Sequence, residues 1–206
     1  MSKNFNMYDS VRFDEMIRLL GNLDDKIVLD IGAGETSVSA RVKTKKTISL
    51  DGVASLKPDL VCDLNEGKLP LKDGEVDVVI AGEIVEHLFN ARKFLEECYR
   101  ILSPGGALIL STPNMVSLKN RLRSLFGKIP RHACFPIDYP FKEKYDMQKH
   151  VNDFTLFTLR DLLEKVGFKV TKASSSGLLL KNKAILSPKF IKASFGEVLV
   201  VRAEKV

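Results

Sequence analysis

The sequence is poor in cysteine and histidine, and neither residue type has the spacing of a common metal or disulfide site. Its three cysteines, Cys62, Cys98 and Cys134, form no CxxC pair, so we expect reduced thiols in a cytoplasmic protein. The three histidines show no H-x-x-x-H or other ligand spacing. We therefore predict that the chain binds no metal.

Targeting and membrane segments are also lacking. No uninterrupted apolar run approaches the roughly 20 residues that span a bilayer, and residues 1–16 lack the apolar block of a secretory signal. The chain has 206 residues, of which 45% are hydrophobic and 28% charged. This length and composition predict a single globular domain over residues 1–206.

Basic residues outnumber acidic ones. The formal net charge is +6 at pH 7, which favours an anionic partner such as a phosphorylated small molecule, a membrane surface or a nucleic acid. A lysine-rich solvated surface gives the same balance, so the composition leaves the function open.

Apolar β-rich runs alternate with helical patterns, which predicts a parallel sheet covered by helices. The predicted strands are residues 26–31, 46–50, 59–62, 75–81, 107–111, 168–173 and 197–203. One predicted helix begins after Asn90 and is stopped by Pro104–Gly106, and a later one begins after Thr158 and ends at Gly167. Residues 113–150 or so interrupt the alternation, and we interpret them as a substrate-side insert.

Segment Val28–Thr36, VLDIGAGET, is the most informative stretch of the chain. An apolar strand ends at Asp30, and Gly32 and Gly34 allow a tight turn and a close approach of a ligand to the backbone. In an open α/β sheet such a turn lies at the carboxyl end of a strand, where ligands bind.

Charge and spacing around this turn distinguish among ligands. A dinucleotide site needs a third glycine where the chain has Ser37, and a P-loop needs a G-K-[ST] sequence that is lacking here. Asp30 and Glu35 would also repel a pyrophosphate at the helix that follows. S-adenosylmethionine has no phosphate and carries sulfonium and ammonium cations, so the carboxylates favour this methyl donor.

Two further acids follow the next two strands. Asp51 lies about 20 residues beyond the turn, the offset of a carboxylate that binds ribose hydroxyls. Asp63 is placed to accept a hydrogen bond from an adenine amino group. Aspartate commonly caps turns, so each acid alone has a structural explanation. Three acids after three successive strands are harder to explain in that way.

These segments resemble the motifs of class I methyltransferases, the seven-stranded, Rossmann-like S-adenosylmethionine-dependent enzymes, and particularly their broad small-molecule group. VLDIGAGET resembles the first motif, ISLDG the ribose-binding acid, and VCDLNEGKLPLKDGEVDVVIAGEIVEHL the adenine-binding and fourth-strand region. LSPGGALILSTPN resembles the fifth-strand motif and HVNDFTLFTLRDLLEKVGFKV the approach to strand six. The resemblance covers about residues 12–173. Thr36 stands where the family often has a third glycine, and it is suited to cap a following helix.

The resemblance implies a three-layer Rossmann-like methyltransferase fold. Its mostly parallel seven-stranded sheet would have the order 3-2-1-4-5-7-6, with the last strand antiparallel and helices on both faces. S-adenosyl-L-methionine is the implied cofactor and S-adenosyl-L-homocysteine the product. Gly32 and Gly34 would lie against the methionine part of the donor, with Asp30 nearby.

The remaining donor contacts follow from the same resemblance. Asp51 would bind the ribose, and Asp63 with Leu64 would border the adenine. Glu83 and Ile84, which follow the fourth strand, would face the methionine end of the donor and the reaction centre.

Methyl transfer is an in-line displacement at an activated sulfonium, so alignment and the exclusion of water come first. An oxygen or nitrogen acceptor also has to lose a proton. His150 is the first candidate base, with Asn152 and Asp153 nearby to orient it; a surface histidine at a loop-to-helix junction is the alternative. His87 is a second candidate on the acceptor side, and packing near the start of a helix is its alternative.

The insert carries an amphipathic segment. Leu118, Leu122, Leu125 and Phe126 form an apolar stripe, and positive charge surrounds it. The basic residues are Lys119, Arg121, Arg123, Lys128 and Arg131. Such a stripe usually packs in a core and such charges are usually solvated; the functional alternative is a lid for an anionic or amphipathic acceptor. Residues 112–128 also resemble segments of methyltransferases of glycan assembly, which suggests a phosphorylated sugar or glycan precursor.

Three functions are compatible with the sequence. The first is methyl transfer to an oxygen or nitrogen atom of a small-molecule acceptor. The second is methylation of RNA or protein, for which a nucleic-acid site would need aromatic residues interleaved with the basic patch. The third is a non-catalytic domain that binds an adenosyl ligand as a sensor or scaffold.

Overall fold

The fold was analysed in a computed structural model, which describes residues 7–33, 37–134, 150–180 and 183–206. The helices are α1 (Met7–Leu20), α2 (Ala91–Ile101), α3 (Leu118–Leu125) and α4 (Leu156–Val166). The strands are β1 (Ile27–Ile31), β2 (Lys46–Asp51), β3 (Leu60–Val61), β4 (Val76–Gly82), β5 (Leu102–Pro113), β6 (Phe168–Ser175), β7 (Leu178–Leu180), β8 (Lys183–Leu186) and β9 (Val198–Lys205). Gly34 and Thr36, which carry two of the predictions, lie outside the described residues.

Seven of the strands form one sheet in the order β3-β2-β1-β4-β5-β9-β6. Strands β1 to β5 pair in parallel, and β9 runs antiparallel between β5 and β6. Because β9 is the strand predicted at 197–203, the predicted order 3-2-1-4-5-7-6 is confirmed. The connection before β9 contains a feature the sequence did not predict, since β7 and β8 pair there as a separate antiparallel hairpin.

Helices cover both faces of the sheet, as predicted. Phe94 of α2 and Leu163 of α4 belong to the larger core on one face. Phe13 and Met16 of α1 belong to the core on the other face. Helix α1 was not predicted, although the spacing of its apolar residues would have indicated it. Among the described residues, none of the helices has both the length and the apolar character that crossing a bilayer requires.

The predicted helix boundaries need two corrections. The side chain of Asn90 caps α2 by accepting a hydrogen bond from the Lys93 backbone N–H, as predicted, but the helix ends at Ile101 and Pro104–Gly106 lies within β5. Helix α4 is capped by Thr155 rather than Thr158. Thr158 is the third helical residue and completes a reciprocal capping box, so the true cap lies one turn earlier.

Glu97 and Arg100 of α2 fix the connection that precedes β4. Glu97 accepts hydrogen bonds from the Leu69 backbone N–H at 2.9 Å and from the Arg100 guanidinium at 2.7 and 2.8 Å. Arg100 also donates to the carbonyl oxygens of Leu69 and Leu71. The hydrogen bonds from Arg100 hold the pKa of Glu97 below its ordinary value. This network attaches the connection to the helix.

We expect Glu97→Gln to lower the free energy of unfolding by about 1–2 kcal/mol at neutral pH, because charge-assisted hydrogen bonds are lost. Since the pKa of Glu97 is lowered in the folded state, its contribution is present at neutral pH and disappears as the carboxylate is protonated. The difference between wild type and variant in urea unfolding should therefore shrink from about pH 7 to about pH 3.

Glu96→Gln is the matched control, because Glu96 pairs with Arg92 on the exposed side of the same helix. Its loss should be no more than about 0.5 kcal/mol. Equal losses in the two variants would contradict the role assigned to Glu97.

Candidate active site

The loop after β1 is organised by a buried carboxylate. Asp30 is 3% exposed, and its Oδ2 accepts hydrogen bonds from the Ser37 hydroxyl at 2.6 Å and the Ser39 backbone N–H at 3.0 Å. Asp30 therefore fixes the chain on the far side of the glycine turn. The sequence predicted that Asp30 lies near the methionine part of the donor. Holding the loop at the glycine turn is compatible with that prediction.

Gly32 begins that turn at a position where a side chain does not fit. Its φ is +68°, in the left-handed region, and an added Cβ would collide with the Cδ1 atom of Ile84. The structure thus brings together two residues that the sequence assigned to the methionine end of the donor. Because Gly32 has no side chain, Ile84 at the end of β4 packs closely on the backbone at the end of β1.

Asp51 is the last residue of β2, and Asp63 follows the neighbouring strand β3 at the same edge of the sheet. Asp51 is 8% exposed and its Oδ1 accepts a hydrogen bond from the Val53 backbone N–H at 2.9 Å. The Cys62 backbone N–H donates to the carbonyl oxygen of Asp51 at 3.1 Å, which holds the two segments side by side. Asp63 is exposed, and the half-buried Leu64 next to it packs against the core. The apolar side chain of Leu64 and the carboxylate of Asp63 are thus neighbours at this edge of the sheet.

Glu83 follows β4 in a strained conformation. Its φ is +57°, which is uncommon for a residue with a side chain. Its Oε1 accepts a hydrogen bond from the Ser111 hydroxyl at 3.0 Å, and its backbone N–H donates to the Ser111 carbonyl oxygen at 3.0 Å. The buried guanidinium of Arg12 lies 3.4 Å from the Ser111 hydroxyl. The ends of β4 and β5 and helix α1 therefore converge on this carboxylate.

Glu86 is a site residue that the sequence analysis missed. It lies in the 3₁₀ turn Val85–His87, is 1% exposed, and its Oε2 accepts a hydrogen bond from the Thr112 hydroxyl at 3.0 Å. Its Oε1 has no hydrogen-bond partner. Burial, together with the nearby carboxylate of Glu83, raises the pKa of Glu86 well above its ordinary value. The segment GEIVEHL contained the signal, because it places an acid directly before a histidine.

All three histidines of the chain meet beside Glu86. The ring centroids of His87 and His150 are 4.9 Å apart, and those of His132 and His150 are 5.6 Å apart. His150 Nδ1 lies 2.8 Å from the carbonyl oxygen of His132. Because a carbonyl can only accept, Nδ1 is the donor in this contact, and Nε2 is the nitrogen that the corresponding neutral tautomer leaves as an acceptor.

The segment after the insert is tied to the 3₁₀ turn. The backbone N–H groups of Val151 and Asn152 donate to the Glu86 carbonyl oxygen at 2.8 and 3.0 Å. The Asn152 side chain donates to the Leu88 carbonyl oxygen at 2.6 Å. Asp153 accepts hydrogen bonds from the backbone and thiol of Cys134. The described hydrogen bonds of Asn152 and Asp153 thus position the backbone around His150, and none of them goes to its imidazole ring.

Helix α3 lies at the end of β5 with its apolar stripe facing outward. Leu122 is 50% exposed, Leu125 77% and Phe126 74%. The side that faces the protein is polar, because the buried Asn120 donates to the Asn114 carbonyl oxygen and Lys119 pairs with Glu197 at 2.7 Å. The ordinary expectation that this stripe packs in a core is therefore wrong for these three residues.

Comparisons with known proteins agree with this geometry. A family model described as a hypothetical methyltransferase matches residues 6–184. The chain belongs to that methyltransferase family. The predicted class I methyltransferase fold is confirmed, and S-adenosyl-L-methionine is the methyl donor of this class.

Curated relatives match over shorter stretches. A protein of Mycolicibacterium smegmatis named as a probable S-adenosylmethionine-dependent methyltransferase is 34% identical over 106 residues, which are 52% of this chain and 34% of that protein. A mitochondrial ubiquinone biosynthesis O-methyltransferase of Rattus norvegicus is 40% identical over 52 residues, 25% of this chain and 15% of that protein. The chain thus spans about a third or less of these relatives.

Solved structures share the fold over nearly the whole chain. A SAM-dependent methyltransferase of Thermotoga maritima superposes with a TM-score of 0.68 at 20% identity and covers 97% of this chain and 92% of its own. A Burkholderia thailandensis N1-methyltransferase with bound S-adenosylhomocysteine superposes with a TM-score of 0.59 at 16% identity, over 98% of this chain and 80% of that one.

Gly32→Ala tests the close contact between the ends of β1 and β4. We expect a loss of about 1–2 kcal/mol in unfolding free energy from the left-handed backbone, and a weaker affinity for S-adenosylhomocysteine because Ile84 is displaced. Gly21→Ala is the control, since Gly21 has a φ of +74° and open space around it. It should lose similar stability and keep its affinity. Unchanged affinity in Gly32→Ala would refute the assignment of this turn to the donor.

Proposed function

We propose that this chain transfers a methyl group from S-adenosyl-L-methionine to an oxygen or nitrogen atom of a small-molecule acceptor. The observation that carries the proposal is the position of Glu86, His87 and His150. Glu86 and His87 lie on the turn that follows β4 and Ile84, which contacts Gly32 of the donor motif. His150, from the segment before α4, lies against His87. A group able to take part in proton removal is thereby next to the predicted methionine end of the donor.

The described residues fit the donor. The lack of a side chain at Gly32 lets Ile84 pack closely on this turn, and a donor bound there would contact both residues. Asp51, at the end of the adjacent strand, is positioned to bind ribose hydroxyls, and Leu64 with Asp63 to border adenine. The donor supplies a methyl group on a sulfonium cation, and the carboxylate of Glu83 offers that cationic end a negative partner.

His150 is the residue we assign to the proton. Its Nδ1 proton is held by the His132 carbonyl oxygen, so Nε2 is the atom that can accept a proton from an acceptor hydroxyl or amine. His87 lies edge-on against the same ring. The two rings thus lie together on the side proposed for the acceptor.

The outward face of α3 suggests the acceptor class. Leu125 and Phe126 expose a large apolar surface, and Arg121, Arg123 and Lys128 lie on the same segment. Such a surface suits an acceptor with a phosphate and an apolar part, which supports the phosphorylated sugar or glycan precursor inferred from the sequence. Relatives named as O- and as N-methyltransferases leave both acceptor atoms in the proposal.

The other two hypotheses are less well supported. Transfer to RNA or protein would use the same basic segment, where the described aromatic side chains are Phe126 and Phe195, whose ring already lies 4.9 Å from the Arg121 guanidinium. A non-catalytic adenosyl-binding domain would have no use for three clustered histidines. Turnover of a phosphorylated small molecule by the purified chain, in the presence of nuclease, would exclude both.

Asp51→Asn tests the donor site. We expect the affinity for S-adenosylmethionine in calorimetric titration to fall about 10- to 150-fold, because a hydrogen bond to a charged group contributes about 1.5–3 kcal/mol. Asp59→Asn is the control. Asp59 is an exposed acid directly before β3, and it accepts hydrogen bonds from the backbone and hydroxyl of Ser49 in β2. An Asp51→Asn protein that binds the donor as tightly as wild type would remove Asp51 from the site.

His150→Ala tests the acceptor side. Donor affinity should stay unchanged while kcat falls by about 10²-fold or more, the usual contribution of a general base. The rate is measured as S-adenosylhomocysteine release with the acceptor found in a screen of phosphorylated sugars. Turnover equal to that of wild type would show that His150 has no part in the reaction.

A further inference from the structure

Three groups that commonly bind metals meet beside the proposed reaction centre. One ligand atom from each of Glu86, His87 and His150 lies within 4.8 Å of the others. A tetrahedral ion with bonds of about 2.0–2.2 Å holds its ligands about 3.3 Å apart. Side-chain rotations of His87, which is 27% exposed, and of the half-buried His150 can close that difference.

The buried carboxylate gives a second and independent indication of a cation. Glu86 is 1% exposed, and its Oε1 has no hydrogen-bond partner. The nitrogen Nε2 of His87 lies 4.0 Å from this oxygen, too far for a hydrogen bond. A buried carboxylate oxygen without a partner is costly unless a proton or a cation neutralises it. An ion bound at this oxygen would neutralise it.

The surroundings of the three groups are those of metal ligands. A histidine that binds a metal usually donates its other ring N–H to a carbonyl or carboxylate. His150 does so, from Nδ1 to the His132 carbonyl oxygen at 2.8 Å. The other oxygen of Glu86 is held by the Thr112 hydroxyl at 3.0 Å. Both ligands are thus oriented before an ion arrives.

We propose that Glu86, His87 and His150 form a binding site for one divalent transition-metal ion, with Zn²⁺ as the ion that the donors suit best. Two imidazoles and one carboxylate, with a fourth position open, are a ligand set of catalytic zinc. Mg²⁺ and Ca²⁺ prefer oxygen ligands alone. The proposal departs from the sequence-based prediction of no metal, which rested on the spacing of the histidines along the chain.

The ion would act on the acceptor, a role that rests on the proposed function. An acceptor hydroxyl in the open position would have its pKa lowered and lose its proton to water. Its oxygen then forms the bond to the methyl carbon, and the electron pair of the broken carbon–sulfur bond stays on sulfur. In this arrangement Nε2 of His150 binds the ion in place of accepting the proton, which goes to water, and the two histidines act by holding the ion beside the acceptor.

The test is calorimetric titration of metal-stripped protein with ZnCl₂ alone, supported by the visible spectrum of the Co²⁺-loaded protein. Wild type should bind one ion per chain. His150→Gln and Glu86→Gln should each bind at least about 100-fold more weakly, because even the loss of a supporting group costs 10- to 100-fold. His132→Gln is the control and should bind as wild type, since it keeps the backbone carbonyl that orients His150.

Absence of a stoichiometric site in wild type would overturn the proposal, and so would equal weakening in His132→Gln or undiminished binding by His150→Gln. Circular dichroism and S-adenosylhomocysteine binding verify that each variant is folded. If Glu86→Gln does not fold, His150→Gln alone tests the site. If donor binding and turnover persist in a chelator, the role of the metal in the reaction is refuted and the proposed function stands. Loss of donor binding with intact Zn²⁺ binding would refute the proposed function instead.

Discussion

The hydrogen bonds from Val151 and Asn152 to the Glu86 carbonyl oxygen are the contact on which the candidate site depends. They attach the chain that leaves the insert to the turn that leaves β4, and the Asn152 side chain strengthens the attachment at Leu88. As a result His150, which is distant in sequence, lies against His87. Without this contact His150 would belong to a different loop from Glu86 and His87.

The concentration of carboxylates at this edge of the sheet explains the kind of ligand that the site can hold. Asp30 lies near the end of β1, Glu83 and Glu86 follow β4, and Asp30 and Glu86 are buried. Buried negative charges repel one another unless cations or hydrogen bonds offset them. Arg12 from α1 and the hydroxyls of β5 provide part of that offset. A sulfonium donor and a metal ion would provide more, whereas a pyrophosphate would add to the repulsion.

The sequence predicted the fold well, because strands follow local patterns and the strand order follows from the family resemblance. The turn at Gly32 followed from residue type, and the donor contacts stay predictions. His87 and His150 were candidates from the sequence, but their contact was not predicted. Glu86 and the meeting of the three histidines depend on contacts between distant segments, which spacing along the chain does not reveal. The cap of α4 was misplaced by one turn because Thr155 and Thr158 are both suitable capping residues.

The stripe on α3 shows a second limit of sequence patterns. Apolar periodicity identifies a helix face but not what lies opposite it, and the face with Leu125 and Phe126 is exposed. The helix is instead held by polar contacts of Asn120 and Lys119. Polar anchoring with an outward apolar face is an arrangement suited to binding an amphipathic ligand, which is why the acceptor hypothesis is tied to this element.

The most direct test of the account is a crystal structure of the protein with S-adenosylhomocysteine. We expect the ribose at Asp51, the sulfur beside Gly32 and Ile84, and an open path from the sulfur to the side chains of His87 and His150. A ligand bound at this edge with its sulfur directed away from the histidines would contradict the assigned reaction centre. Binding at another part of the sheet would contradict the donor site as well.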